Sequence, residues 1–188
     1  MRIERYPEAD VPSDLRRQVL LLQDDAWPGT STPVDTLVHD PALDPLSVLL
    51  TDEGVVVSAL DVLRKPLQHA GSSYLAGGLS TVVTRADRRG AGHGHRLVTA
   101  ARAVMIELGL DLAIFTCDRG LGPFYGRAGF RVLPGTVLVG GTEDNPFPSD
   151  QPGFDKVAVG AFFDPAVAES DFHHARIGLY PGDIDKLW

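Results

Sequence analysis

The spacing of apolar and polar positions marks out most of the secondary structure of this chain before any chemistry is considered. Arg2 to Arg5 predict an edge strand. Ser13 is placed to cap a helix through Leu15, Val19, Leu20 and Leu22 that ends near Trp27-Pro28-Gly29. Residues 28–45 are rich in Pro, Thr, Asp and Gly, with a short helical turn expected at Val34 to Val38. Leu46 to Leu50 and Val55 to Leu63 flank Thr51-Asp52-Glu53-Gly54, a hairpin with glycine in its turn. Pro66 is expected to break the second of these strands. Tyr74 to Thr84 reads as a long central strand, in which Gly77-Gly78 predict a bulge or a close backbone approach. After a turn at Arg85 to Arg88, apolar residues recur at Leu97, Val98, Ala101, Val104, Met105 and Leu108. That spacing gives one buried face of a helix, and Gly109 stops it. Leu110 to Cys117 reads as a buried strand, and Arg131 to Gly140 and Lys156 to Phe163 as two more. Between those two, 141–153 is a polar loop without periodicity, and 164–188 carries only weak helix signals.

Composition narrows the class. Hydrophobic residues make up 44% of the 188-residue chain and charged ones 22%, an ordinary globular balance that suits one domain over 1–188. No apolar run approaches the roughly 18 residues of a spanning helix, so no membrane partner is expected. The opening MRIERYPEAD lacks the apolar core of a signal peptide, and the single cysteine, Cys117, leaves no internal disulfide; both point to the cytoplasm. No Cys or His spacing suits a metal, and His173-His174 read as a solvated pair. The net charge of −8 argues against nucleic acid. The charge is unevenly placed, however. Residues 85–102 carry Arg85, Arg88, Arg89, Arg96 and Arg102 against Asp87 alone, a basic patch in an acidic body that would attract a cationic molecule.

The patch coincides with the most informative stretch, LSTVVTRADRRGAGHG at 79–94. A strand feeding a glycine-rich turn at a helix N-terminus suits an anion. Small residues let backbone N–H groups approach a phosphate, and the helix dipole favours negative charge there. Spacing separates the known turns of this kind. No lysine follows the glycines as a P-loop requires, and the third glycine of a dinucleotide fingerprint would fall on His95 or Leu97. The pattern that fits is [RQ]xxGx[GA], read as Arg89, Gly92 and Gly94. It resembles the coenzyme A pyrophosphate loop of the GCN5-related N-acetyltransferases (GNAT). Downstream, Gly122-Pro123-Phe124-Tyr125-Gly126-Arg127-Ala128-Gly129-Phe130 is similar to that family's second signature, a short helix with a tyrosine followed by Gly-Phe. The resemblance covers about residues 46–140.

The resemblance implies an α/β (α+β) fold, with a mixed, mostly antiparallel sheet of six to seven strands, about four flanking helices and splayed central parallel strands. It implies acetyl-CoA as co-substrate and no metal. The Val82, Val83 and Thr84 backbone would pair with the pantetheine arm. Arg88, Arg89, Gly90, Ala91, Gly92, His93 and Gly94 would hold the pyrophosphate, and Tyr125 would protonate the leaving thiolate. Many relatives carry a glutamate as general base near position 80. Here that place holds Ser80, so the proton goes to another carboxylate (Glu143, Asp118, Asp35 or Asp40) or the amine arrives neutral. Cys117 reads as a small buried residue beside the thioester site.

The acceptor is expected to be a small cationic amine. Asp35, Asp40 and Asp44 lie where relatives line the acceptor pocket. The nearest likeness within the superfamily is to aminoglycoside 2′-N-acetyltransferases. It rests on Val83-Thr84-Arg85-Ala86-Asp87, on Pro134-Gly135-Thr136-Val137-Leu138 and on a C-terminal Gly182-Asp183 with Trp188. It implies that Asp183 (or Asp185) and Trp188 bind ammonium groups. The alternatives are a protein or peptide amine as acceptor, and a coenzyme A-binding module without catalysis. A homodimer through sheet edges is the assembly that the resemblance allows.

Overall fold

The computed structural model describes residues 1–29, 33, 34 and 36–179. In chain order the elements are β1 (Arg2–Pro7), α1 (Ser13–Ala26), β2 (Leu46–Asp52), β3 (Val55–His69), β4 (Ser72–Thr84), α2 (His93–Glu107), β5 (Leu112–Asp118), α3 (Gly122–Arg127), β6 (Arg131–Val132), β7 (Val137–Gly141), β8 (Pro146–Pro148), β9 (Lys156–Phe162) and β10 (Arg176–Gly178). Seven strands form one sheet in the order β1-β2-β3-β4-β5-β9-β6, and three form a second, β10-β7-β8. The large sheet is antiparallel except where β4 meets β5. Mixed sheet, helices and strand splay are those of the GNAT fold, with three α-helices among the described residues where about four were expected. None of these helices is long and apolar enough to cross a membrane.

Alternation along the strands sends successive side chains to opposite faces, and each face has its own cover. Leu97, Val98, Ala101 and Met105 of α2 pack with Val48, Leu50, Leu60, Val62 and Phe115. On the opposite face, Leu15 of α1 meets Leu49, Val56, Ala59 and Val83. Farther along that face, Leu138 and Ile177 of the small sheet cover Leu63, Leu67, Leu112 and Ile114. Gln18 ties α1 to the hairpin by donating to the Gly54 carbonyl and accepting from the Val56 N–H.

Several sequence expectations are corrected. Pro66 does not end β3, which runs to His69 with Pro66 opposite Leu75. β2 stops at the Leu46–Val62 pair, so Pro66 lies on a free strand edge, where its missing N–H leaves no ladder bond unmade. The expected strand over 131–140 is two strands in different sheets. Pro134 cannot donate to the ladder, and Gly135, at φ +64°, turns the chain from β6 to β7. The 141–153 loop contains β8, which pairs with β7. The 164–179 part of the tail forms a short 3-10 helix at Glu169–Phe172 and then β10, parallel to β7. Near the turn expected at Val34, the Thr36 N–H donates to the Pro33 carbonyl.

The central feature is the meeting of β4 and β5. They pair in parallel only at Ala76–Leu112 and Gly77–Ala113, although β4 continues to Thr84 and β5 to Asp118. Gly77 is the close approach: a Cβ there would lie 2.5 Å from Leu110 Cδ1. The bulge is not at Gly77-Gly78, which pair regularly with Arg64 and Leu63. It falls where Thr81 and Val82 together face Leu60, between the Ala59–Val83 and Asp61–Ser80 pairs.

Candidate active site

A cleft of about 710 Å³ opens beside the splayed strands. One wall is the end of β4, through Val82, Val83 and Thr84. The floor is the turn from Arg88 to Gly94 that leads into α2, and the far wall is α3, through Phe124 and Tyr125. Of the residues picked from the sequence, Val82, Val83, Thr84, Arg88, Arg89, Gly90, Gly92, His93, Gly94 and Tyr125 all line this cleft; Ala91 does not. Segments separated by some 40 positions thus converge on one space.

The turn is tight and basic. Gly92 stands at φ +81° as the residue before α2, and Gly90 adopts φ +80°. L-residues avoid this left-handed region, so glycine is what lets the chain turn tightly into α2, whose first N–H groups have no partner within the helix and whose first residues line the cleft. Gly94 approaches Thr84, where a Cβ would come within 3.1 Å of Oγ1. The Arg89 guanidinium donates to the Thr84 carbonyl at 3.1 Å, pinning the turn to the strand end, and Arg88 and Arg127 add positive charge to the lining. A pyrophosphate-bearing ligand fits these residues.

Tyr125 is 6% exposed and held by edge-on contacts with Phe115 and Phe124, centroids 5.1 and 5.0 Å away. Burial pushes its phenol well above the ordinary range, with the Cys117 and Asp118 charges acting in the same direction. It therefore stays protonated at neutral pH. Cys117 is buried too, and its thiol is pushed up to about 11, chiefly by burial. Asp118 lines the cleft and accepts a hydrogen bond from Lys156 Nζ at 2.5 Å.

The other candidates lie elsewhere. Ser80 is half-buried opposite Asp61 and does not line the cleft. Asp40 is exposed and caps the short Pro41–Leu43 turn, accepting from the Ala42 N–H at 2.8 Å. Asp44 pairs with Arg64, and Glu143 is exposed. Asp35, Asp183, Asp185 and Trp188 fall outside the described residues. A buried polar group that the sequence reading missed sits behind the bulge: Glu8, His39 and Asp61, each no more than 5% exposed. The available signal was Asp61 itself, a lone carboxylate inside the apolar run Val55–Leu63.

Comparison with known proteins agrees with this geometry. The family model of the acetyltransferase (GNAT) domain matches residues 10–133, well over half of the chain. The chain belongs to that family and is an N-acetyltransferase. No curated protein matches its sequence. Among solved structures, an acyl-CoA N-acyltransferase from Pseudomonas aeruginosa is similar at a TM-score of 0.58 and 20% identity, over 85% of this chain and 98% of the other. An aminoglycoside 6′-N-acetyltransferase complexed with coenzyme A gives 0.60 and 14%, over 89% and 100%. The aminoglycoside 6′-N-acetyltransferase from Enterococcus faecium gives 0.59 and 15%, over 89% and 100%. At these identities the likeness is one of fold.

Proposed function

We propose that this N-acetyltransferase moves an acetyl group from acetyl-CoA to a primary amine of a small cationic acceptor, by direct transfer with both substrates bound. The observation that carries the reading is the convergence of the Arg88–Gly94 turn, the β4 end and Tyr125 on one cleft. When bound, acetyl-CoA supplies an activated thioester whose sulfur leaves readily. The turn and its arginines would anchor the pyrophosphate, and the end of β4 from Val82 to Thr84, past the point where β5 parts from it, would hold the arm and offer backbone N–H groups to charge developing on the carbonyl oxygen. The acceptor nitrogen attacks as a neutral amine, forming the C–N bond as the C–S bond breaks. Tyr125 gives its proton to the departing sulfur, and the nitrogen releases one to water. The phenol carries the proton to be given at working pH. Cys117 supports direct transfer over an acyl-enzyme: with its thiol pushed up to about 11, little thiolate exists to take the acetyl group.

The acidic body, net −8, favours a cationic acceptor through long-range attraction. Aminoglycosides are the leading members of that class, with the 2′-amine as the position to test first. The deciding assay is thiol release from acetyl-CoA with aminoglycosides, polyamines and short peptides in parallel. Release with aminoglycosides bearing a free 2′-amine, and none with 2′-hydroxyl versions, is the expected result. Release only with peptides would overturn the small-acceptor reading, and release only with 6′-amines would move the position.

A further inference from the structure

Thr81 is the one residue of β4 with positive φ, at +50°. A β-branched side chain in the left-handed region is a true backbone outlier, and such strain persists only where the surroundings enforce it. The enforcing contacts are visible. The Thr81 hydroxyl donates to Asp61 Oδ2 at 2.6 Å, and the Ser47 hydroxyl donates to Asp61 Oδ1 at 2.5 Å. His39 Nε2 lies 3.4 Å from Asp61 Oδ2. The loop that carries His39 is fixed in turn by Glu8, which accepts from the Val38 N–H at 2.5 Å and the His39 N–H at 3.2 Å. Behind them a void of about 20 Å³, lined by Glu8, Ser47 and Asp61, has room for about one water. A buried polar chain thus runs from Glu8, just past β1, through the 38–39 loop and Asp61 to the bulge, and the strand end that leaves the bulge, Val82 to Thr84, lines the cleft.

We propose that Asp61 is a positioning residue: by gripping the Thr81 hydroxyl it locks the bulge and so sets the direction of the Val82–Thr84 backbone along the cleft, with Glu8 and His39 holding Asp61 in place. A carboxylate is worth burying here because its two oxygens can take donors from β2 and β4 at once, with His39 of the 38–39 loop 3.4 Å away, which no apolar residue could join. The lock acts on the transferase site proposed above and rests on that reading for its effect on turnover.

The test uses Thr81→Gly, Thr81→Ser and Asp61→Asn in the full chain. Glycine accepts φ +50° without strain, which offsets part of the lost hydrogen bond, so Thr81→Gly should still fold, with a thermal midpoint lowered only modestly. If the hydroxyl is the lock, amide hydrogen exchange over residues 80–84 rises about tenfold or more in Thr81→Gly and Asp61→Asn, and returns close to wild type in Thr81→Ser. In the same proteins kcat falls about tenfold in the first two, with KM for acetyl-CoA changed less than about threefold, and recovers with serine. Unchanged exchange in Thr81→Gly would overturn the lock. Increased exchange with wild-type kcat would reduce Asp61 to a structural group and overturn the positioning role. A wild-type protein that transfers acetyl to no amine would sink the transferase reading separately, and exchange alone would then decide the lock.

Discussion

At the scale of single residues, Tyr125 combines two properties that rarely coincide by packing alone: it is buried against Phe115 and Phe124, yet it lines the cleft. If it protonates the leaving sulfur, Tyr125→Phe lowers kcat about a hundredfold while coenzyme A affinity, read by calorimetry, changes little. Wild-type turnover in that variant would remove Tyr125 from the mechanism. The raised phenol also has a consequence for stability. The folded protein holds this proton more tightly than the unfolded chain, whose tyrosines titrate near ~10. The stabilisation is therefore complete below about pH 10 and is lost as pH rises beyond it. Thermal midpoints should fall more steeply above that pH in the wild type than in Tyr125→Phe. Tyr125 was legible in the sequence because it sits in a compact motif. Asp61 was not, because its partners Ser47, His39 and Thr81 are brought to it only by strand pairing and by the 38–39 loop.

Among the elements, the strand, turn and helix over 79–108 emerged in the structure much as periodicity and glycine placement predicted, because each signal is local. The buried face of α2 is Leu97, Val98, Ala101, Val104 and Met105, as its spacing requires. Strand ends depended on what lay next to them. Pro66 is tolerated because β2 has already stopped, and β6 separates from β7 because Val137 finds Ala175 rather than β9. Neither neighbour is visible in a run of apolar residues. Of the two readings the glycines at 77–78 allowed, the close approach is the one found there, while a threonine with a carboxylate partner makes the bulge at 81. The turn itself is testable through Gly92. Alanine at φ +81° costs roughly 1–2 kcal/mol of backbone strain. If the bound state needs that geometry, KM for acetyl-CoA rises about 5- to 30-fold in Gly92→Ala, with kcat at saturation largely kept. An unchanged KM would mean that the turn does not hold the anion.

Over the whole molecule, charge and layering set the conditions for the site. The chain carries −8 overall, yet Arg88, Arg89 and Arg127 stand at the cleft, so an anionic ligand feels attraction only at short range. Screening weakens that attraction, and KM for acetyl-CoA should rise several-fold between about 0.05 and 0.5 M salt. A flat salt response would argue against the arginines as ligand contacts. The small sheet, assembled from 137–148 and 176–178, was the least legible part of the fold, since its strands are three to five residues long and lack alternation.

The parting of β4 from β5 reaches beyond catalysis. From Gly78 to Thr84 one strand, and from Ile114 to Asp118 the other, have lost each other as neighbours. The sheet is thus a wall with a seam left open at its centre. A ligand that bridges the seam acts as mortar as well as reactant, and adds RT ln(1 + [L]/Kd) to the folding free energy, about 2.7 kcal/mol at a hundredfold excess over Kd. If the co-substrate is that ligand, it should slow proteolysis of the protein, and the more so the further its concentration exceeds Kd.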